Sequence, residues 1–317
     1  MHPQETSRRE ILARLCLMGE GEKGLDLLAF ASKEDEAGKE QLGRVRRLSH
    51  LRPVSVLEEI HPGWILEKLR GESPRLLGLV CRFVTGEKAQ YLISHLAPEE
   101  RKRLPKVRES YDLSPQLVEI VRELVEKSLA VSLPQRAGEA FGFSHIAWMR
   151  DDDLRTFFRD LGLEEIRKAF AEVEPQIFRA FLARFSPAEA KEIRGRIETG
   201  KAVSLEEKRA AQKHLVSLSL ENGELPPDAL FREIGYSVFA RALSPDDRDW
   251  AEWICQKLAP EDGYRLKRMV QERTASQPET TLQERKEKIL HRLSLLAQKG
   301  LIRRYWKEEN EAKKPGR

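Results

Sequence analysis

From Phe158 to Ile197 apolar residues recur at spacings of three and four, the rhythm of helices that bury one stripe and leave the rest to water. The same apolar skeleton is written three times. Moved forward so that Phe158 falls on Phe231, it carries Ile166, Phe170, Phe181, Leu182, Phe185, Pro187, Ile193 and Ile197 onto Phe239, Leu243, Ile254, Cys255, Leu258, Pro260, Leu266 and Val270. Moved back to begin at Leu69, it meets Leu77, Cys81, Leu92, Ile93, Leu96, Pro98 and Leu104, and fails only at Arg108. Each copy holds the same turn: Leu96-Ala97-Pro98-Glu99-Glu100, Phe185-Ser186-Pro187-Ala188-Glu189 and Leu258-Ala259-Pro260-Glu261-Asp262. Proline is tolerated in the first turn of a helix and acids favour its positive end, so each turn marks one helix stopping and another starting.

These signals predict helices at Pro74–Phe83, Glu87–Leu96, Pro98–Val107 and, after Ser114-Pro115, Gln116–Leu129. Pro134, Gly138 and Gly142 break the pattern, and Asp151-Asp152-Asp153 opens the next long helix. Ser204-Leu205-Glu206-Glu207 is a capping box; Thr281-Leu282-Gln283-Glu284 repeats it, and His214 and Gly223 recur as His291 and Gly300. The resulting division is a short helical and linker segment at 1–52, helical units at 53–133, 141–225 and 226–302, and a charged, fraying tail at 303–317. The repeats begin near Pro53, Phe143 and Asp228. No stretch sustains strand alternation. The expected fold is all-α, an armadillo-like, right-handed superhelical stack of three homologous multi-helix units, each needing its neighbours to cover its apolar faces.

Composition changes this picture little. Charged residues are 34% of the 317 and aromatics 7%, as amphipathic surface helices require, and 56 bases against 52 acids leave a net charge of only +4. Arg101-Lys102-Arg103 and Arg303-Arg304 lack interleaved aromatics on which bases could stack, so no nucleic-acid partner is expected. Gly19-Glu20-Gly21-Glu22-Lys23-Gly24 has the glycine spacing of a dinucleotide loop, but it follows a helical pattern and its two glutamates would oppose phosphate; no cofactor is expected. Cys16, Cys81 and Cys255 lie far apart on apolar faces and read as reduced core residues. The seven histidines never take a metal-site spacing, and no nucleophile elbow or phosphate loop is present, so neither a metal nor a catalytic residue is expected. His214 and His291, with no acidic partner at matched spacing, read as structural. No signal-peptide pattern opens the chain, and Arg82 interrupts the run Leu76–Cys81, so the expectation is a cytoplasmic protein without a membrane span.

Phe141-Gly142-Phe143-Ser144-His145-Ile146-Ala147-Trp148-Met149-Arg150-Asp151-Asp152-Asp153-Leu154, Phe158-Arg159-Asp160-Leu161 and Ala202-Val203-Ser204-Leu205 with the following helix resemble the carboxy-terminal domain of the flagellar motor switch protein FliG. The unit from Pro53 to Leu129 resembles the middle domain of that family, and the third unit a second carboxy-terminal copy. The resemblance implies a structural rotor component on the inner face of the cell membrane, self-associating into a ring or stack, with a FliM-like switch protein as partner and the membrane ring or stator as neighbours. In the family a Glu-His-Pro-Gln motif and a downstream arginine contact that switch protein; here Glu72-Ser73-Pro74-Arg75 and Arg108 align, so Glu72, Pro74, Arg75 and Arg108 are the expected partner-binding residues. The family's charged torque positions align with Ala171, Ala188, Gly195, Arg196 and Ser204, and none keeps the family's charge. Two readings follow: a rotor component that does not use the usual torque charges, or a non-motor helical-repeat adaptor built on the same fold.

Overall fold

The computed structural model describes residues 56–72, 74–81, 84–104, 115–129, 141–221, 226–273 and 279–305, and among them every regular element is a helix. The predicted all-α class is therefore observed. The segment 1–52 with its glycine-spaced loop, Cys16, Arg108 and most of the tail lie outside the described residues. The chain divides between Ala130 and Val131 into two compact units.

In the first unit a 3-10 turn at Val56–Glu58 leads into α1 (Pro62–Lys68), α2 (Pro74–Val80), α3 (Gly86–Ser94), α4 (Pro98–Lys102) and α5 (Pro115–Leu129). Four of these five helices begin on proline, whose fixed φ suits the first turn and whose missing N–H is no loss there. His61 caps α1, its Nδ1 accepting the Gly63 N–H at 3.1 Å. Leu57, Ile60, Ile65, Val80 and Leu92 form the sealed core. Lys88 ties the opening turn to α3 by donating to the carbonyls of Leu57 (3.1 Å), Ile60 (2.8 Å) and Glu58. The buried Glu126 carboxylate of α5 accepts the Val56 N–H at 3.2 Å.

The second unit holds a 3-10 turn at Phe143–Trp148, α6 (Asp151–Phe170), α7 (Pro175–Leu182), α8 (Pro187–Thr199), α9 (Leu205–Glu221), α10 (Pro227–Ala240), a 3-10 turn at Pro245–Asp247, α11 (Arg248–Lys257), α12 (Pro260–Arg273) and α13 (Glu279–Gln298). Pro98, Pro187 and Pro260 open α4, α8 and α12, as their sequence context predicts. Helices α6 and α10 form its centre, with α8, α9 and α13 against α6, α12 against α10, and α11 against α12 and the first 3-10 turn. The expected capping boxes form at α8, where Ser186 accepts the Glu189 N–H at 3.4 Å and Glu189 accepts the Ser186 N–H at 2.9 Å, and at α9, where Ser204 accepts the Glu207 N–H at 3.2 Å. The last helix differs: it begins at Glu279, so Thr281 lies inside it instead of capping it. It closes through Gly300 at φ +68°, with the Leu301 N–H reaching the Leu296 carbonyl at 3.0 Å, a turn that favours a residue without Cβ.

The α6–α10 crossing decides how the second and third copies meet. A Cβ on Gly162 would lie 1.9 Å from the Phe231 carbonyl oxygen, and one on Gly235 would lie 1.9 Å from the Phe158 carbonyl oxygen. Since Phe158 and Phe231, and Gly162 and Gly235, are repeat equivalents, the contact is reciprocal: each copy presents the same surface to the other, with the helices running in opposite senses. Serial stacking of the kind expected from the spacing would join two different faces, as solenoid repeats do. Around the crossing Phe158 meets Tyr236 edge to face at 4.8 Å and Phe239 at 5.4 Å. Cys255 is buried and burial pushes its thiol up to about 12, whereas Cys81 is half-buried. The described start of the tail packs on the head of α6: the Tyr305 hydroxyl donates to Asp153 and accepts the Arg150 N–H at 3.0 Å, because three acids there offer it an acceptor.

Candidate functional site

In the first unit, Gly71 turns the chain out of α1 at φ +86° and leaves Glu72 exposed just before Pro74 opens α2. Glu72 borders a groove of about 430 Å³ whose apolar wall is Leu66, Leu69, Leu77 and Leu96 and whose polar rim adds Arg70, His95 and Glu100. The turn on its far side is braced: Glu100 accepts the Ala97 N–H at 3.2 Å, and Arg101 donates to the carbonyls of Ser94 at 2.9 Å and Leu96 at 3.2 Å. Of the four expected partner-binding residues, the structure thus places Glu72 on a groove and Pro74 at the adjoining helix start. Arg75 is in α2 with its side chain outside the description, and Arg108 is outside altogether. Arg70 and His95 were not singled out in sequence; Arg70 lies two residues before Glu72, but His95 reaches the groove from another helix.

The torque-position equivalents all lie in the second unit. Ala171 ends α6, Ala188 is exposed in the first turn of α8, Gly195 and Arg196 lie further along α8, and Ser204 caps α9. Arg196, the one charged residue among these five positions, is drawn into the fold. It is 23% exposed, and its guanidinium donates at 2.7 Å to Asp160, whose side chain is 4% exposed, and at 3.3 Å to Glu192. Arg292 of α13 approaches the same Asp160 with Nη2 at 2.9 Å and also with Nε. Glu192 in turn holds Arg159 in a two-pronged pair at 2.9 and 2.6 Å, and Arg159 reaches Asp228 at 3.2 Å. Burial alone would raise the Asp160 carboxyl, but the hydrogen bonds and charges of Arg292 and Arg196 outweigh it and hold the group below its ordinary value. For Glu192 the hydrogen bond from Arg159 leads the same downward shift. The network joins α6, α8, α10 and α13, so the charge of Arg196 is spent inside the fold. Lys191 and Arg194 are the exposed bases of α8.

A third cluster lies within the second unit. His214 of α9 meets Glu165 of α6 through Nδ1 at 2.8 Å and Ser237 of α10 through Nε2 at 2.7 Å. Acid, imidazole and hydroxyl stand in the order used for nucleophile activation, but Ser237 is 0% exposed and His214 3%, so no substrate meets the hydroxyl in this conformation. Burial raises the Glu165 carboxyl, yet the hydrogen bond and charge of His214 leave it below its ordinary value. The arrangement joins three helices by satisfied polar contacts. The acidic partner of His214 was invisible to a search by spacing because it comes from another helix, and the repeat equivalent His291 is exposed. Among the described residues no group of side chains could hold a metal ion, and no helix is long and apolar enough to cross a membrane.

Residues 135–224 match the model of the FliG C-terminal domain. No curated protein and no solved structure matches the chain. The matched stretch contains α6 to α9, and with them Asp160, Glu165, Arg196 and His214, while their partners Asp228, Ser237 and Arg292 lie beyond it. The likeness to the FliG C-terminal domain thus covers residues 135–224, within the second unit.

Proposed function

We propose that this protein is a structural component of the flagellar motor switch, at the cytoplasmic face of the membrane, acting through protein contacts. The match to the FliG C-terminal domain carries the reading. In the first unit the groove beside Glu72 supplies a surface of the right kind for a FliM-like switch protein: an apolar wall with an ionic rim, on a braced turn. A strain lacking the protein should assemble flagella that fail to rotate or switch; normal swimming would remove the reading. The double substitution Glu72→Ala with Arg75→Ala should release the switch partner from pulldowns while leaving helix content unchanged, and an unaltered set of partners would clear this groove of the role.

The same reading holds that torque is not taken up by the family's usual charges, because Ala171, Ala188, Gly195 and Ser204 carry none and Arg196 is paired with Asp160. That feature also supports the second reading, a non-motor adaptor on the same fold. Arg196→Glu is a poor probe of the face, since it would set a third carboxylate beside Asp160 and Glu192. Lys191→Glu with Arg194→Glu changes the exposed charge alone. Unaltered swimming speed at low and moderate salt is expected, and a salt-sensitive loss would show that this face does meet a charged stator.

A further inference from the structure

Helices α3, α7 and α11 hold the same place in the three sequence copies. One line of positions at i, i+3 and i+7, running from each helix to its C-terminal end or the turn just after it, reads Lys88-Tyr91-His95, Ile177-Ala180-Arg184 and Trp250-Trp253-Lys257. On α11 the 3-10 turn at Phe143–Trp148 covers the stripe. Phe143 meets Trp250 edge to face at 5.5 Å, and Lys257 Nζ, 5.7 Å from the centre of the Trp253 ring, donates to the Met149 carbonyl at 2.9 Å. On α3 the turn at Val56–Glu58 and the residues after it cover the first two positions, with Lys88 on their carbonyls and His61 edge to face with Tyr91 at 5.5 Å, while His95 at the third is exposed. Both covering turns carry apolar residues and end in carbonyl groups that a cation on the stripe can satisfy. On α7 the same stripe is open: Ile177 is 54% exposed, and Ala180 and Arg184 are exposed.

We propose that the α7 stripe is a docking surface for another protein, which contributes a short apolar 3-10 turn that packs on Ile177 and Ala180 and places its terminal carbonyls against Arg184. The chemistry of the occupant follows from the two covered copies, and Arg184 keeps a cation where Lys257 holds the Met149 carbonyl. A second copy of this chain is the weaker candidate, because both turns of this kind among the described residues are committed: Leu57, Ile60, Ile146 and Met149 are buried in their own units. A lone exposed isoleucine would need no explanation; one standing where its two equivalents are engaged does. The surface belongs to the second unit and is independent of the groove at Glu72.

The probe is a fluorescein-labelled peptide spanning Phe141–Arg150, titrated into the full chain and followed by anisotropy. Saturable binding is expected, weakened at least about tenfold by Ile177→Asp and by a smaller factor by Arg184→Ala. Val216→Asp, at an exposed site on α9, should leave it unchanged. Thermal melts establish that each variant folds; should Ile177→Asp not fold, a bulky maleimide on Ala180→Cys in the folded chain must block the peptide instead. Absent binding, or binding equal in all variants, overturns the proposal. So does a dimer in sedimentation that Ile177→Asp returns to monomer, since the occupant would then be a second copy.

Discussion

Asp160 is one carboxylate serving two arginines from different helices, Arg196 at 2.7 Å and Arg292 at 2.9 Å, with its own side chain almost fully buried. Such a charge is costly to remove, since an amide would leave one neutral oxygen and an NH2 donor facing two guanidiniums that keep only Glu192 and Glu164 to balance them. Asp160→Asn should therefore lower stability by about 3–5 kcal/mol in denaturant titration. The pH dependence has a definite sign. The folded Asp160 carboxyl lies below the unfolded aspartate value of about 3.9, so its pairing stabilises the fold fully above that pH and is lost as pH falls through the lower folded value. Glu165 adds to the same acid window by the same direction of shift. The wild-type melting temperature should thus fall on acidification below about pH 4, and Asp160→Asn should flatten that fall. An unchanged acid profile in the variant would mean that Asp160 is not the ionised centre of the network.

At the scale of elements, two glycines in neighbouring helices of the same domain have opposite reasons to be there. Gly162 allows α6 to touch α10, and a Cβ would strike backbone 1.9 Å away; no rotamer can relieve such a clash, so the helices must separate. Gly162→Ala should cost well over 1 kcal/mol and lower the melting temperature by several degrees, an overpacking effect of about 1–3 kcal/mol. Gly195 lies on α8, and apart from its chain neighbours and the backbone of its own helix nothing lies within 4 Å of where its Cβ would be. Gly195→Ala should stabilise by up to about 1 kcal/mol, the ordinary gain of alanine over glycine inside a helix. Equal effects in the two melts would contradict the crossing. Glu172 offers a third backbone case: it takes φ 57°, in the left-handed region, at the end of α6. Glu172→Gly should be neutral or stabilising by about 0.5–1 kcal/mol, because the strain of a side chain there is relieved.

For the whole molecule, the reciprocal contact of α6 and α10 makes the second and third copies mutually dependent. Phe158, Phe231, Tyr236 and Phe239 are sealed between them, and Arg292 from α13 reaches Asp160 in α6. A fragment of residues 131–225 should accordingly lose cooperative thermal unfolding and expose apolar surface to dye, whereas 131–317 should melt as one transition. A sharp, reversible melt of the shorter fragment would show that the third copy is dispensable for the fold of the stretch similar to the FliG C-terminal domain.

Much of this molecule is determined by short-range sequence. Helix starts at Pro74, Pro98, Pro115, Pro187 and Pro260, the capping boxes at Ser186 and Ser204 and the repeated apolar skeleton are local signals, read from spacings within a turn or two of helix. They determine the class of fold, the position of most helices and the resemblance that residues 135–224 bear out. What the copies do with the shared pattern depends on neighbours distant in the chain. The skeleton equivalents Phe231, Ile254, Leu258 and Leu266 are all sealed, while on the exposed side of α7 Ile177 stays open. His214 is buried beside an acid and its equivalent His291 is exposed. Arg196, an ordinary surface base by its position on an amphipathic helix, is drawn inward by Asp160. Burial and ion pairing depend on which helices meet, and that meeting is settled by close packing at Gly162 and Gly235, a long-range fit that no periodicity along the chain encodes.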